Sequence, residues 1–160
     1  MIEEICLFVL MPKFRPNVAA LIVNNAGELL VCERTNDKGA WQFPQGGVDG
    51  DESALEALYR EVWEEVGLPP EDYKVIEYRD KYLYLYPAHI RVKKKWDGQE
   101  QTYFLCKLKK KSKGVDLGEN NPEFRDFDWV KPEDFDVDWL PGFKVEVYRE
   151  VMRDFFQLEI

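Results

Sequence analysis

The chain has 160 residues, 45% hydrophobic and 14% aromatic, enough apolar material for one well-packed domain and too much for a disordered chain. Its 31 acidic and 22 basic side chains leave a formal charge of −9, which excludes indiscriminate binding to nucleic acid, duplex DNA included. The three cysteines, Cys6, Cys32 and Cys106, are odd in number and lack Cys-x-x-Cys spacing, so reduced thiols in a cytoplasmic protein are expected.

Residues 1–11 are an apolar run too short to span a bilayer, and their acidic front differs from the basic start of a signal peptide. The run reads as an edge strand or a docking arm. Residues 17–23 have strand length, Asn24-Asn25-Ala26-Gly27 is turn chemistry, and residues 28–33 return as a second strand. Trp41-Gln42-Phe43 is a short strand closed by Pro44, after which Gly46 and Gly47 let the backbone bend towards a ligand. A helix follows, opening with Asp51 and Glu52 and ending at Gly67, with Pro69 and Pro70 blocking continuation. Its buried side reads as Leu55, Leu58, Tyr59, Val62, Trp63 and Val66.

Beyond the helix, residues 73–78 and 82–86 alternate aromatic with other side chains, the period of strands. Residues 103–108 and 127–130 are two more strands, and residues 133–135 a single turn of helix. Val145, Tyr148, Met152, Phe155 and Phe156 recur at helical spacing over residues 143–156, which predicts a C-terminal helix on the sheet. Strands interleaved with two main helices give an α/β layered domain.

One feature of the first helix runs against helix energetics. Glu61, Glu64 and Glu65 fall within roughly a 100° arc, and the last two lie in the final turn, where the dipole disfavours anions. Two carboxylates ~6 Å apart at an effective dielectric of ~20 repel by about 3 kcal/mol. A divalent cation turns that liability into a ligand set. Magnesium fits best, because it takes oxygen ligands and keeps waters that a phosphate can displace; manganese or another divalent cation is the substitute.

Gly46, five residues, Glu52, seven residues, then Arg60-Glu61-Val62-Trp63-Glu64-Glu65-Val66-Gly67-Leu68 resembles the Nudix box at every specified position. The resemblance implies an α/β/α sandwich with a mixed β-sheet between helices, and a phosphoanhydride hydrolase. It gives the metal to Glu61, Glu64, Glu65 and the Gly46 (or Gln45) carbonyl, and makes Arg60, with Glu52 as partner, the group that holds the helix glutamates. Arg15-Pro16-Asn17-Val18, Trp41 to Gly47, Gly98-Gln99-x-Gln101 and Phe143-Lys144 recur in order, similar to the bacterial RNA pyrophosphohydrolases, which overlap with dinucleoside polyphosphate (diadenosine tetraphosphate) hydrolases.

That branch implies removal of pyrophosphate from a 5′-triphosphorylated or diphosphorylated RNA end, leaving a monophosphate open to decay. Glu123, in Pro122-Glu123-Phe124, matches a further catalytic glutamate and metal ligand. Arg34 and Phe143 match residues that sandwich a base, Arg15 and Lys144 match basic residues near phosphates and nucleotides, and Lys38 and Tyr84 are weaker substrate-contact candidates. The partner is a 5′-phosphorylated RNA end or a nucleoside polyphosphate, with no membrane involved; oligomeric state stays open, a monomer being one reading. A dinucleoside polyphosphate hydrolase is the alternative. A non-catalytic Nudix-fold nucleotide sensor is disfavoured because every box glutamate is present.

The Lys93-Lys94-Lys95 and Lys109-Lys110-Lys111 runs read first as solvated faces and second as RNA grips. The segment after Tyr82 is shorter and richer in tyrosine than the branch pattern, and Tyr103 stands where many relatives have tryptophan; both bear on substrate preference. The resemblance makes residues 1–160 a single Nudix domain with 1–12 as an extension. Met11-Pro-Lys-Phe-Arg-Pro-Asn is how such relatives tend to begin, so Met11 is an alternative natural start.

Overall fold

A computed structural model of the chain describes residues 11–160, and the edge strand or docking arm expected at residues 1–10 lies outside the described residues. Strand β1 (Phe14–Val23) is apolar on both faces: Val18, Ala20 and Ile22 point one way, Ala19 and Leu21 the other, all buried. A strand of that kind is stable only where both faces are covered. It pairs in parallel with β6 (Gly98–Leu108), from Phe14 opposite Gly98 to Val23 opposite Lys107. On its other side it runs antiparallel to β2 (Leu29–Arg34) across the Asn24–Gly27 turn, and to the short β4 (Gln45–Gly47).

Strand β2 continues to β3 (Trp41–Gln42) and β7 (Phe124–Val130), while β5 (Tyr73–Leu85) forms the far edge beside β6. The seven strands make one mixed sheet of order β3-β2-β1-β6-β5, with β4 attached to β1 and β7 to β2. Helix α1 (Ala54–Val66) covers one face: Ala57, Leu58, Val62 and Val66 sit on Val18, Ala20, Ile22, Leu30 and Phe104. Helix α3 (Gly142–Phe156) covers the other with Val147, Tyr148, Val151, Met152 and Phe155; a single turn, α2 (Ala88–Arg91), follows β5. The α/β/α sandwich expected from the sequence is the observed architecture.

Helix α1 begins later than the acidic residues suggested. Ser53 is its N-cap, accepting from the Glu56 amide, and Glu52 lies outside the helix, where it accepts from the Asp49 amide instead. Gly67 ends the helix at φ 70°, returning its amide to the Trp63 carbonyl; a Cβ at that position would overlap the Asp116 carbonyl as well as strain the backbone.

Several expectations need correction. Leu55 and Trp63 are 40% and 58% exposed, and their places on the buried face are taken by Ala57 and by Glu65, which is 5% exposed. The wheel placed the apolar arc one residue step too far round, because it assumed that no glutamate would be buried. The two strands expected at residues 73–78 and 82–86 are one strand, β5, whose register shifts between Arg79 and Tyr82 with Lys81 at φ 64°. That bulge turns Tyr82 and Tyr84 onto the α3 face, whereas Tyr73 lies on the α1 face. Gln45–Gly47 is a strand rather than a free turn, and β6 and β7 begin earlier than their apolar cores, at Gly98 and Phe124.

Phe43 is the aromatic centre of the α3 side: it stacks on Tyr148 at 4.8 Å and 12°, and meets Phe135 at 5.2 Å and Tyr103 edge-on at 6.5 Å. Phe43→Ala is expected to cost about 3–5 kcal/mol of unfolding free energy, measured by urea denaturation.

Candidate active site

Arg60 is the hub of the site. Its Nε donates to Glu52 at 3.1 Å and its Nη2 to the second Glu52 oxygen, a fork-to-fork pair, while Nη2 also reaches the Gly47 carbonyl at 2.8 Å. Nη1 turns the opposite way, to Glu61 at 2.7 Å and Glu64 at 3.4 Å. One guanidinium thus joins the loop before α1, strand β4 and the acidic edge of the helix. These contacts hold it firmly in the charged form, the Glu52 hydrogen bonds being the largest cause.

Glu65 enters the protein rather than solvent, and its Oε2 accepts from the Gln45 amide at 3.1 Å. Burial first, then the charges of Glu61 and Glu123, push its carboxyl up to about 9. Burial raises Glu61 too, opposed by Arg60. The Glu61 carboxylate lies over Gly46, where a Cβ would overlap it, so this glycine is the cradle of that side chain.

Glu123 is exposed, but its loop is tied to α1 by one residue. The Asn121 amide donates to the Glu65 carbonyl at 2.7 Å, and its Oδ1 accepts from the amides of Glu123 and Phe124, both at 2.9 Å. Thr35 adds two more ties, to the Asn121 and Glu123 carbonyls.

Among the described residues no three carboxylates converge on one point, because each takes the nearest N–H: Glu61 and Glu64 turn to Arg60, and Glu65 to Gln45. The donor set still fits a hard divalent cation. Glu61, Glu64, Glu65, Glu123 and the Gly46 carbonyl are all oxygen donors, and rotation about glutamate single bonds re-aims them without moving α1. Burial and like-charge crowding at Glu65 give the group a reason to hold a cation.

Basic and aromatic side chains continue from this edge along β1, β6 and β5. Arg15 lies across Gly47. Behind it, buried Gln101 donates to Asn17 at 2.9 Å and Gln45 at 2.8 Å and accepts from the Tyr103 hydroxyl, tying three strands. Tyr84 donates its hydroxyl to Gln99 at 2.6 Å, and its ring meets Phe143 at 5.8 Å. Tyr84 is 6% exposed, so it backs Phe143 more than it offers an open contact. Lys144, next to Phe143, is buried with its Nζ 3.5 Å from Gln42; burial, then the charges of Arg34 and Lys94, push it down to about 8.

Lys38 stands apart, in a separate hollow with Trp139 and Pro141. The structure thus brings Glu52, Arg60, Glu61, Glu64, Glu65, Gly46, Glu123 and, across Gly47, Arg15 to one end, and Tyr84, Phe143, Lys144 and Arg34 to the other.

The NUDIX domain pattern matches residues 13–155. The chain belongs to the Nudix family. It is 41% identical over 149 residues to an RNA pyrophosphohydrolase of Helicobacter pylori strain P12, covering 89% of this chain and 94% of that one. Similarity to the RNA pyrophosphohydrolase of Shewanella piezotolerans is 42% over 147 residues, covering 89% and 84%. Among solved structures, a C. elegans Ap4A hydrolase binary complex superposes with a TM-score of 0.60 at 24% identity, covering 87% of this chain and 94% of that one, which supports the Nudix fold.

Within the Nudix box, sequence reasoning missed the burial of Glu65 and the Asp49 amide that holds Glu52, and outside it the roles of Asn121 and the Asn17–Gln45–Gln101 network. Polar residues interrupting apolar strands were the available signal for the network, and Asn-Asn-Pro turn chemistry for Asn121.

A carboxyl whose folded pKa exceeds its unfolded value favours the folded state at low pH, and that contribution fades as pH rises through the folded pKa. Glu65 sets the window from about 4.5 to about 9. In EDTA, the melting temperature is expected to fall between pH 5 and pH 8.5, with magnesium restoring it most at the upper end. Glu65→Gln should flatten the EDTA profile, read by thermal melts across the range.

Proposed function

We propose that the protein is a magnesium-dependent RNA 5′ pyrophosphohydrolase, releasing pyrophosphate from triphosphorylated or diphosphorylated RNA and leaving a 5′-monophosphate. The observation that carries the reading is an intact acidic helix edge, clamped by Arg60, next to a basic and aromatic cluster. A polyphosphate suits the edge and a nucleotide the cluster. The curated relatives above, alike over most of their length, carry that activity in their names. In this reading residues 13–155 act as a single Nudix unit.

Glu61, Glu64, Glu65 and Glu123, with the Gly46 carbonyl, are the proposed holders of the divalent cation. When bound, the cation neutralises polyphosphate charge and lowers the cost of forming the attacking hydroxide. Arg60 keeps Glu61 and Glu64 on the reacting side and draws Glu52 and the Gly47 loop against α1. Glu65, packed under the Gln45 amide, faces the cation from the protein side, and the exposed Glu123 beside it is the group placed to take the proton of the attacking water. Cleavage of a phosphoanhydride depends on positioning and charge stabilisation, which fixed carboxylates and a guanidinium clamp supply without a covalent intermediate. Arg15 neutralises phosphate near Gly47, while Phe143 and Arg34 hold a base between a ring and a guanidinium plane, with Lys144 below.

Incubating the protein with 5′-triphosphorylated RNA and magnesium is expected to release pyrophosphate. No release at saturating magnesium, alongside turnover of diadenosine tetraphosphate, would move the assignment to the dinucleotide. Glu64→Gln and Glu65→Gln should each lower turnover at least a hundredfold in folded protein. Phe143→Ala should raise the RNA KM while leaving magnesium affinity, followed by manganese titration, within about twofold of wild type.

A further inference from the structure

The lysine run at 93–95 has a use the reading above does not absorb. Its three ammonium groups behave differently. Lys95 Nζ sits over the Trp96 ring at 5.3 Å, whereas Lys94 Nζ sits over the Tyr86 ring at 5.2 Å. Tyr86 stands edge-on against Phe143 at 6.2 Å and against Tyr84 at 5.9 Å, so Lys94 is held at the edge of the aromatic cluster. The arm that carries it is fixed at its base: Arg91 donates to the Tyr86 carbonyl at 2.6 Å, and the Tyr86 amide donates to the Asp97 carbonyl at 2.8 Å. Among the described residues no carboxylate lies within ion-pair distance of Lys94.

Lys94, over Tyr86, and Lys144, next to Phe143 in the chain, thus stand at the aromatic cluster of a protein whose net charge is −9. An ammonium without a carboxylate partner suits a phosphate, and its place along the site decides which phosphate. The scissile phosphates of any substrate must lie at Glu61, Glu64 and Glu65. Lys94 lies over Tyr86, and the β5–β6 ladder steps from Gln101, which meets Gln45 beside Glu65, past Tyr84 opposite Gln99 to Tyr86, so the aromatic cluster stands between Lys94 and the glutamates. A nucleoside triphosphate or a dinucleoside polyphosphate carries all its phosphates on the 5′ side of the stacked base. Only a polynucleotide has another one, 3′ of that base.

We propose that Lys94 binds this internucleotide phosphate and so selects RNA chains over mononucleotides and dinucleoside polyphosphates at the same site. The inference rests on the RNA reading of the site. An ammonium on a flexible stem suits the task, because it grips a phosphate as a point charge whatever the base sequence. The Tyr86 ring orients the stem, and the ring quadrupole costs the ammonium little when it swings to a phosphate.

The test compares wild type, Lys94→Gln and Lys94→Arg on a triphosphorylated RNA trinucleotide and on diadenosine tetraphosphate. For Lys94→Gln the RNA KM is expected to rise roughly five- to tenfold with kcat retained, so the ratio of kcat/KM for RNA over dinucleotide falls by the same factor. The slope of log kcat/KM for RNA against log salt should become shallower by about 0.7, the value for one lost single-strand phosphate contact. Lys94→Arg should restore most of the ratio. Equal losses on both substrates, or an unchanged ratio and salt slope, would return Lys94 to a cover for Tyr86 and overturn the inference alone. A wild type inactive on RNA would remove the RNA reading itself, and this inference with it.

Discussion

A single positive charge makes the acidic edge of α1 tenable. Arg60 faces Glu52 and the Gly47 carbonyl with one side of its guanidinium and Glu61 and Glu64 with the other. Half-buried carboxylates at helix spacing repel each other, and the last turn of a helix adds its own unfavourable field. Placed among them, a planar cation with five donors relieves part of that repulsion and fixes three backbone segments at once. Lysine could neutralise the same charge, but could not bridge opposite directions from one plane. The loop carbonyl at Gly47, Glu52 and the helix carboxylates Glu61 and Glu64 are all positioned relative to that guanidinium.

The sandwich serves this geometry by supplying two differently built faces. The α1 face is mainly aliphatic under the helix, with Val18, Ala20, Ile22, Leu30 and Val62, and its aromatics are Tyr73, Phe104 and Phe124. The α3 face is aromatic, with Phe43, Tyr82, Tyr84, Tyr103 and Tyr148, whose hydroxyls need partners and so impose direction. Between them runs the polar line Asn17–Gln101–Gln45, whose last member's amide holds Glu65. The buried glutamate is thereby connected to the aromatic side through hydrogen bonds within the sheet.

The layered architecture was legible in the sequence because β1 is apolar at every position of its core and the two helices repeat at helical period. The box residues were legible for another reason: their spacing is rigid, since it is set by one glycine turn and one helix. Glu65 was harder. A glutamate reads as polar in any periodicity argument, and only the Gln45 amide, donated by a strand too short to recognise, explains why it points inward. The join of two apparent strands into β5 was hidden by a bulge at Arg79 to Tyr82, where alternation changes phase and mimics a turn. Lys38 came from the resemblance alone, as a weaker substrate-contact candidate, and the structure puts it in a hollow with Trp139 and Pro141, apart from the other candidates.

The parallel pairing of β1 with β6 has a consequence for how the chain is made. Phe14 waits for Gly98 and Val23 for Lys107, so a ribosome must deliver most of the polypeptide before the central pair can close. Hairpin partners for the other edge of β1 arrive early, from Leu29 and Gln45. During that interval a run of valine, alanine, leucine and isoleucine presents bare amides and carbonyls along one side. The nascent protein is then most open to pairing with a neighbour, a hazard that ends only when Leu108 has emerged.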